Sequence, residues 1–194
     1  MNLPNKLTLS RIIMTPVFVV WFFIVDYLNI NPVLYGAVLL VICGSMELTD
    51  MLDGKIARKR NLVTDLGKVM DPFGDVIIHL TFFTCFFYIR IMPVWAFLVI
   101  FWREFAQSFF RMLMMGKGKP MSANIFGKAK TCLYAFSCAC SFFCRIFMVA
   151  ENEQVWLTHT CKVLFSMSAV AAALSFIIYV RAIIKQGTLS DMTR

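Results

Sequence analysis

The sequence predicts an all-α, polytopic membrane protein with six transmembrane helices. Of the 194 residues, 60% are hydrophobic, and phenylalanine and methionine alone contribute 20 and 13 residues. The mean hydropathy is +0.75, so the chain carries more apolar surface than one soluble core of this length can bury. The apolar residues also form six blocks, each close to the roughly 20 residues that cross a bilayer as a helix.

Each apolar block is assigned one helix, in chain order. The first is kept as a membrane helix because it is long, lacks a small-residue cleavage site and is followed by further spans, unlike a secretory signal. No repeat or linker separates the blocks, so we expect a single membrane domain over residues 1–194. The predicted helices cover residues 10–29, 33–58, 67–90, 92–116, 124–149 and 154–185.

Basic residues near the predicted helix ends orient the chain in the membrane. They lie at the start and end of the chain, between helices 2 and 3, and between helices 4 and 5. The other connections contain NINP, RIMP and the acidic AENEQ. The positive-inside rule therefore places both termini in the cytoplasm. The basic residues used are Lys6, Arg11, Lys55, Arg58, Lys59, Arg60, Lys117, Lys119, Lys128, Lys130, Arg181, Lys185 and Arg194.

The net charge of +8 does not indicate a nucleic-acid partner, because the basic residues are scattered between apolar blocks rather than gathered on one soluble face. We interpret them as topology signals and contacts for an anionic substrate. The seven cysteines contain no CxxC pair and lie mostly in apolar segments, so we expect neither a disulfide framework nor a zinc site.

The stretch DMLDGKIARKRNLVTDLGKVMDPFGD, residues 50–75, holds five aspartates between apolar segments. Residues three and four apart share a helix face, so Asp50 and Asp53 form one pair and Asp71 and Asp75 another, and the two pairs would face each other across a tight hairpin. Four carboxylates held this close cannot all stay ionised without cations. Oxygen ligands without nearby His or Cys favour Mg²⁺ or Mn²⁺ over zinc, and Mg²⁺ readily shares its shell with phosphates. The stretch therefore indicates phosphate chemistry at the cytoplasmic membrane surface.

Small residues and an arginine lie among these carboxylates. Gly54, Ala57 and Gly67 remove side-chain bulk, so that a helix or a nucleotide can approach the backbone. Arg58 offers a planar fork to a phosphate. One alternative is a solvated acidic loop, although acids at the membrane edge usually have a function. Another is a divalent-cation carrier, which explains the carboxylates but not the small residues and the arginine.

The whole pattern resembles the signature of the CDP-alcohol phosphotransferase family at all eight of its positions. This resemblance implies a six-helix membrane enzyme, commonly a homodimer, that cleaves a CDP-linked alcohol, transfers the phosphoalcohol half to an acceptor hydroxyl and releases CMP. The pattern reads Asp50-x2-Asp53-Gly54-x2-Ala57-Arg58-x8-Gly67-x3-Asp71-x3-Asp75.

The resemblance also implies a role for each matching residue. Two Mg²⁺ ions, or Mn²⁺ in their place, would be held by Asp50, Asp53, Asp71 and Asp75, and Asp75 would also accept the proton of the acceptor hydroxyl. The CDP-lipid would contact Gly54, Ala57, Arg58 and Gly67 of the signature and, outside it, Asn5, Thr8 and Thr64. Helix capping is the alternative for Asn5 and Thr8, with Thr8 just before the first predicted span.

Three other segments resemble the phosphatidylglycerophosphate synthases and the related cardiolipin synthases of this family: NLPNKLTLSRIIMTPVF, REFAQSFFR and SANIFGKAKT. The last two imply that Arg103, Arg111, Lys128 and Lys130 bind the phosphate of the acceptor. For the two lysines the alternative is ordinary positive-inside charge. Arg103 and Glu104 lie deep in helix 4, where an ion pair or a cavity-facing arginine is expected.

The implied substrates are CDP-diacylglycerol and glycerol 3-phosphate, with phosphatidylglycerophosphate and CMP as products. The size and architecture of the chain favour a bacterial inner or plasma membrane, and the positive-inside rule places the active site on the cytoplasmic side. The chain departs from the synthases at Gly74, usually alanine, at Val76, usually lysine, and at Phe109 and Phe110, usually a Gly-Leu pair. A cardiolipin-type, phosphatidylcholine-type or inositol-phosphate acceptor therefore stays open.

Overall fold

Six α-helices follow one another along residues 2–59, 64–116 and 125–185, which are the residues described in a computed structural model. The helices are α1 Leu3–Ile24, α2 Pro32–Lys59, α3 Asp65–Tyr88, α4 Val94–Gly116, α5 Ile125–Val149 and α6 Val155–Lys185. The predicted all-α architecture is confirmed. Helices 2 to 6 begin and end within two residues of their predicted bounds.

The predicted bounds of the first helix, residues 10–29, are wrong at both ends. The helix begins at Leu3 because the Asn2 side chain caps it and Pro4 occupies its first turn, where a missing N–H costs nothing. Capping is therefore not the role of Thr8, which lies inside the helix. Hydropathy locates only the apolar part of a helix, and here the helix begins in polar sequence before it. At the other end, α1 stops at Ile24 and the chain turns.

Five of the helices are long and apolar enough to cross a membrane. The exception is α4, which carries three charged residues, Arg103, Glu104 and Arg111. Within α2 and α3 the apolar spans are Pro32–Asp50 and Met70–Tyr88. The acidic stretch therefore joins the ends of two spans, in agreement with its predicted place at the edge of the membrane.

The centre of the bundle is built from aromatic side chains. Helix α3 contacts α1, α4 and α5, and α6 packs on α4 and α5. Phe18 of α1 packs against Phe82 of α3 with ring centroids 4.5 Å apart, and Phe86 packs against Phe142 of α5 at 5.1 Å. This core fixes α1, α3 and α5 relative to one another.

The end of the bundle farther from the acidic stretch is held by one buried arginine. Arg145 of α5 donates from Nη2 to Asp26 Oδ1 at 2.7 Å and to the Phe22 carbonyl oxygen at 3.2 Å. Its Nε donates to the Tyr35 hydroxyl at 3.3 Å. The guanidinium therefore ties α1, α2 and α5 together well away from the residues predicted to form a site.

Candidate active site

The first two turns of α1 and of α3 are joined by polar side chains. Thr8 is fully buried, and its Oγ1 lies 2.7 Å from Asp71 Oδ1, to which it donates, and 3.3 Å from the Pro4 carbonyl oxygen. Asn5 Nδ2 donates to Thr64 Oγ1 at 3.1 Å. Both Asn5 and Thr8, predicted to contact the CDP-lipid, thus lie beside the acidic stretch and hold α1 against α3.

Thr64 begins α3 as its N-cap, and its Oγ1 accepts a hydrogen bond from the Gly67 backbone N–H at 3.0 Å. A Cβ atom at Gly67 would lie 2.9 Å from Asn5 Oδ1 and 3.2 Å from Thr64 Oγ1. A larger residue would therefore displace the Asn5 amide from the first turn of α3. The sequence predicts that a small residue is needed at Gly67, and the structure gives the reason: without a side chain there, α1 can approach α3 closely.

The buried Arg11 of α1 joins two of the predicted site carboxylates. Its Nη1 forms a salt bridge with Asp50 of α2 and donates to Asp75 Oδ1 of α3 at 3.2 Å. The Arg11 side chain is 3% exposed, whereas each carboxylate is 46% exposed. Carboxylates from α2 and α3 therefore meet at the guanidinium group of Arg11.

This convergence bears on whether the acids suit a metal ion. A position that holds a cation and is bounded by carboxylate oxygens has the donor type that hard divalent ions prefer. Within the described ranges, no group of three or more His, Cys, Asp or Glu side chains is arranged around a single point. The side chains of Asp53, Ala57 and Arg58, and the surroundings of Gly54, lie outside what the structure describes, so their predicted roles stay predictions.

A cavity of about 140 Å³ opens beside Asp75, between α3, α4 and α5. Besides Asp75 and His79 of α3, its lining includes Arg103 and Arg111 of α4 and Lys130 of α5. His79 is held by a hydrogen bond between its Nδ1 and the Asp75 carbonyl oxygen, 2.8 Å apart. The predicted proton acceptor and three of the four predicted acceptor-phosphate cations thus line one cavity. The side chain of the fourth, Lys128, lies outside the described residues.

Glu104 organises the basic side of this cavity. Its Oε1 accepts hydrogen bonds from Arg103 Nη1 at 2.8 Å, Lys130 Nζ at 2.7 Å and the Tyr134 hydroxyl at 2.9 Å. Arg103 Nη2 also donates to Ser175 Oγ of α6 at 3.3 Å. The sequence left two alternatives for Arg103, an ion pair or a place facing a cavity. The structure shows both, because Arg103 is paired with Glu104 and also lines the cavity.

Sequence reasoning did not assign Arg11 and Glu104 to the site. A signal for Arg11 was present, because Asn5, Thr8 and Arg11 recur every three residues and so share one face of an otherwise apolar helix. Glu104 was recognised only as a partner of Arg103. Its bonds to Lys130 and Tyr134 join residues 26 and 30 positions apart, which no local pattern indicates.

The fold and these residues define a helical membrane protein whose acidic helix ends adjoin a basic cavity. The family model described as CDP-alcohol phosphatidyltransferase matches residues 1–177. The chain belongs to the CDP-alcohol phosphatidyltransferase family.

Individual relatives are similar over parts of the chain. The CDP-diacylglycerol–glycerol-3-phosphate 3-phosphatidyltransferase of Bacillus subtilis (strain 168) is 38% identical over 139 residues, which cover 67% of this chain and 70% of the relative. The protein of the same name in Treponema pallidum (strain Nichols) is 46% identical over 86 residues, covering 44% and 40%. A CMP-forming cardiolipin synthase of Streptomyces coelicolor is 32% identical over 139 residues, covering 70% and 63%.

Proposed function

We propose that this chain transfers the phosphatidyl group of CDP-diacylglycerol to glycerol 3-phosphate, giving phosphatidylglycerophosphate and CMP. The relatives from Bacillus and Treponema carry the name of this reaction. The observation that carries the proposal is the cavity in which Asp75 faces a group of cations, Arg103, Arg111 and Lys130. Transfer to a phosphorylated alcohol needs both a proton acceptor and an anion-binding group, and the cavity offers the two side by side.

The charge of the cavity favours an acceptor that carries a phosphate monoester. Arg103, Arg111 and Lys130 supply three positive charges and Glu104 removes one, which leaves an excess of two on the basic side of the cavity; Asp75, on the other side, lowers the excess of the whole cavity to one. A phosphate monoester near neutral pH carries up to two negative charges. Arginine also matches phosphate geometry with two parallel N–H donors. A small phosphorylated alcohol therefore complements the cavity in both charge and hydrogen bonding.

The donor substrate is assigned to the acidic stretch and to the start of α1. Asp50, Asp53, Asp71 and Asp75 would hold two divalent ions, Mg²⁺ or Mn²⁺, and the CDP group would contact Asn5, Thr8, Gly54, Ala57, Arg58, Thr64 and Gly67. When bound, such ions neutralise the pyrophosphate and stabilise both the attacking and the leaving oxygen. Arg11 supports this assignment, since a cation between Asp50 and Asp75 keeps the two carboxylates together.

In the proposed reaction, Arg103, Arg111 and Lys130 hold the acceptor by its phosphate and direct its terminal hydroxyl toward Asp75. The Asp75 carboxylate accepts the hydroxyl proton while the oxygen attacks the lipid-side phosphorus. A new phosphorus–oxygen bond forms as the bond to the CMP oxygen breaks, and CMP leaves. Glu104 contributes by positioning Arg103 and Lys130 rather than by touching the reacting atoms.

The proposed setting is a bacterial inner or plasma membrane, with both termini and the active site on the cytoplasmic side. The acyl chains of the lipid would enter between helices from the bilayer. We also propose a homodimer, as the family resemblance implies.

Replacing Asp75 by asparagine tests the proposed proton acceptor. Asp75→Asn keeps the shape of the side chain but removes the base, so CMP formation should fall by roughly 10²- to 10⁴-fold while the purified protein stays folded. Glu153→Gln, an exposed position in the connection between α5 and α6 at the other end of the bundle, is the matched control and should retain near-normal turnover. A high residual rate in Asp75→Asn would exclude this carboxylate as the base.

A panel of acceptors tests the reaction itself. With divalent metal and CDP-diacylglycerol, CMP should form with glycerol 3-phosphate and not with phosphatidylglycerol or inositol phosphate. CMP formation only with phosphatidylglycerol would favour a cardiolipin-type reaction, which the Streptomyces relative makes the second candidate. No CMP with any acceptor would remove the enzyme assignment and favour a cation carrier.

A further inference from the structure

One residue that lines the cavity, Gln107, carries a buried polar atom to which the proposed reaction assigns no role. Gln107 Oε1 is buried and accepts no hydrogen bond within the described structure, although Gln107 lines the cavity that holds Asp75. A buried acceptor without a donor is costly, and most such groups in proteins are satisfied by a side chain, water or a ligand. Because Gln107 lines the cavity, a turn of its amide toward the cavity would let Oε1 meet a donor bound there.

The helical position of Gln107 indicates which part of a ligand it meets. It lies four residues after Arg103 and four before Arg111, so all three share one face of α4 and line the cavity. Asp75 faces the same space from α3. Gln107 thus lies among the groups assigned to the acceptor's phosphate and opposite the group assigned to its reacting hydroxyl.

We propose that Gln107 determines acceptor specificity by accepting a hydrogen bond from the middle hydroxyl of glycerol 3-phosphate. This inference rests on the proposed function, which places the phosphate on the cations and the terminal hydroxyl at Asp75. The middle carbon of a three-carbon phosphoalcohol then lies between these groups, and its hydroxyl is the donor that Gln107 Oε1 lacks.

The test compares glycerol 3-phosphate with 3-hydroxypropyl phosphate, which lacks only the middle hydroxyl. A site that hydrogen-bonds a substrate hydroxyl discriminates against the analogue without it, because its own polar group is then left unpaired. We expect wild-type kcat/KM to be at least roughly tenfold higher for glycerol 3-phosphate. In Gln107→Leu, which removes the amide but keeps a side chain of similar size, the two values should agree within about twofold.

The ratio of the two kcat/KM values separates a specificity role from a structural one. Damage to the fold would lower both values together and leave their ratio unchanged. Gln154→Leu is the matched control, because Gln154 lies outside the cavity, hydrogen-bonded to Asn152 and Trp156, and its ratio should equal that of the wild type.

Two results would overturn the role of Gln107 and leave the proposed function intact: a wild-type enzyme that uses both acceptors equally, or a Gln107→Leu enzyme that keeps the full preference. Where Gln107→Leu does not fold, equal use of both acceptors by the wild-type enzyme still overturns the role, and Gln107→Met takes its place as the variant without the amide. Absence of CMP formation with glycerol 3-phosphate itself would overturn the proposed function and this inference together.

Discussion

At the scale of single residues, the candidate site is organised by buried ions that pair across helices. Arg11 lies between Asp50 and Asp75, and Glu104 gathers Arg103 and Lys130. Removing one member of a buried pair leaves an uncompensated charge, so each of these residues constrains its partners. The two groups differ in net charge. Around Arg11 two acids face one base, whereas around Glu104 two bases face one acid. A site with this asymmetry can hold a cation-dependent donor on one side and an anionic acceptor on the other.

Replacing Lys130 by methionine should weaken acceptor binding selectively. Methionine keeps the unbranched apolar stem but removes the ammonium group, and a hydrogen bond to a charged group contributes about 1.5–3 kcal/mol. KM for glycerol 3-phosphate should therefore rise roughly 10- to 100-fold, whereas KM for CDP-diacylglycerol should change by less than about threefold. Steady-state kinetics with each substrate varied in turn measures both.

Lys162→Met in α6 is the matched control for this change, because Lys162 does not line the cavity. It should leave both Michaelis constants near their wild-type values. An equal increase of the two constants in Lys130→Met would count against a phosphate pocket at Lys130.

At the scale of secondary-structure elements, the contact between α1 and α3 places the candidate donor site. Thr64 caps α3 and also binds Asn5, while Thr8 binds Asp71 two turns further along α3. Gly74 continues this contact, since a Cβ atom there would lie 3.3 Å from Thr8 Cγ2. The departure from alanine at Gly74 thus has a packing reason, because glycine gives α1 the space to approach.

Thr64→Val should loosen the start of α3. Valine has nearly the same shape but cannot accept the Gly67 N–H, and losing an N-cap costs about 1 kcal/mol. For a protein of this size that loss lowers the midpoint of thermal unfolding by roughly 2–4 °C. Thermal unfolding of the purified protein in detergent, without substrates, measures the shift.

Thr84→Val on the same helix is the control, because among the described residues the Thr84 hydroxyl donates to the Leu80 carbonyl oxygen of its own helix and to no other group. Its unfolding midpoint should stay close to that of the wild type. Equal midpoints for Thr64→Val and Thr84→Val would show that the cap and its bond to Asn5 add no stability.

At the scale of the whole molecule, the charged helix α4 decides how many times the chain crosses the membrane. Its 23 residues span about 35 Å as a helix, enough for a bilayer core. Arg103 and Glu104 are buried against α5 and α6, whereas Trp102 and Phe105 are exposed on the outside. Charges that face the bundle interior are compatible with a membrane helix. We therefore expect α4 to cross, which gives six crossings and places both termini on the same side.

Reporter fusions test this topology. A green fluorescent protein fused after residue 185 should fluoresce in bacterial cells, and alkaline phosphatase at the same point should be inactive, because both report a cytoplasmic C-terminus. Fusions in the connection between α5 and α6, residues 150–154, are the control and should give the opposite result. An active phosphatase after residue 185 would contradict the expected orientation.

The sequence by itself determined the membrane class, five of the six helices within two residues, and the family through the spacing of Asp50 to Asp75. These features depend on hydropathy and on the helical repeat, which act between residues close together in the chain. Only the tertiary structure decided that Arg11 meets Asp75, 64 residues away, and that Glu104 joins Arg103 to Lys130 beside the same cavity. It also placed Gln107 in that cavity. Such contacts follow from how α1, α3, α4 and α5 pack, because a side chain meets a distant partner only once the aromatic core has fixed the helices side by side.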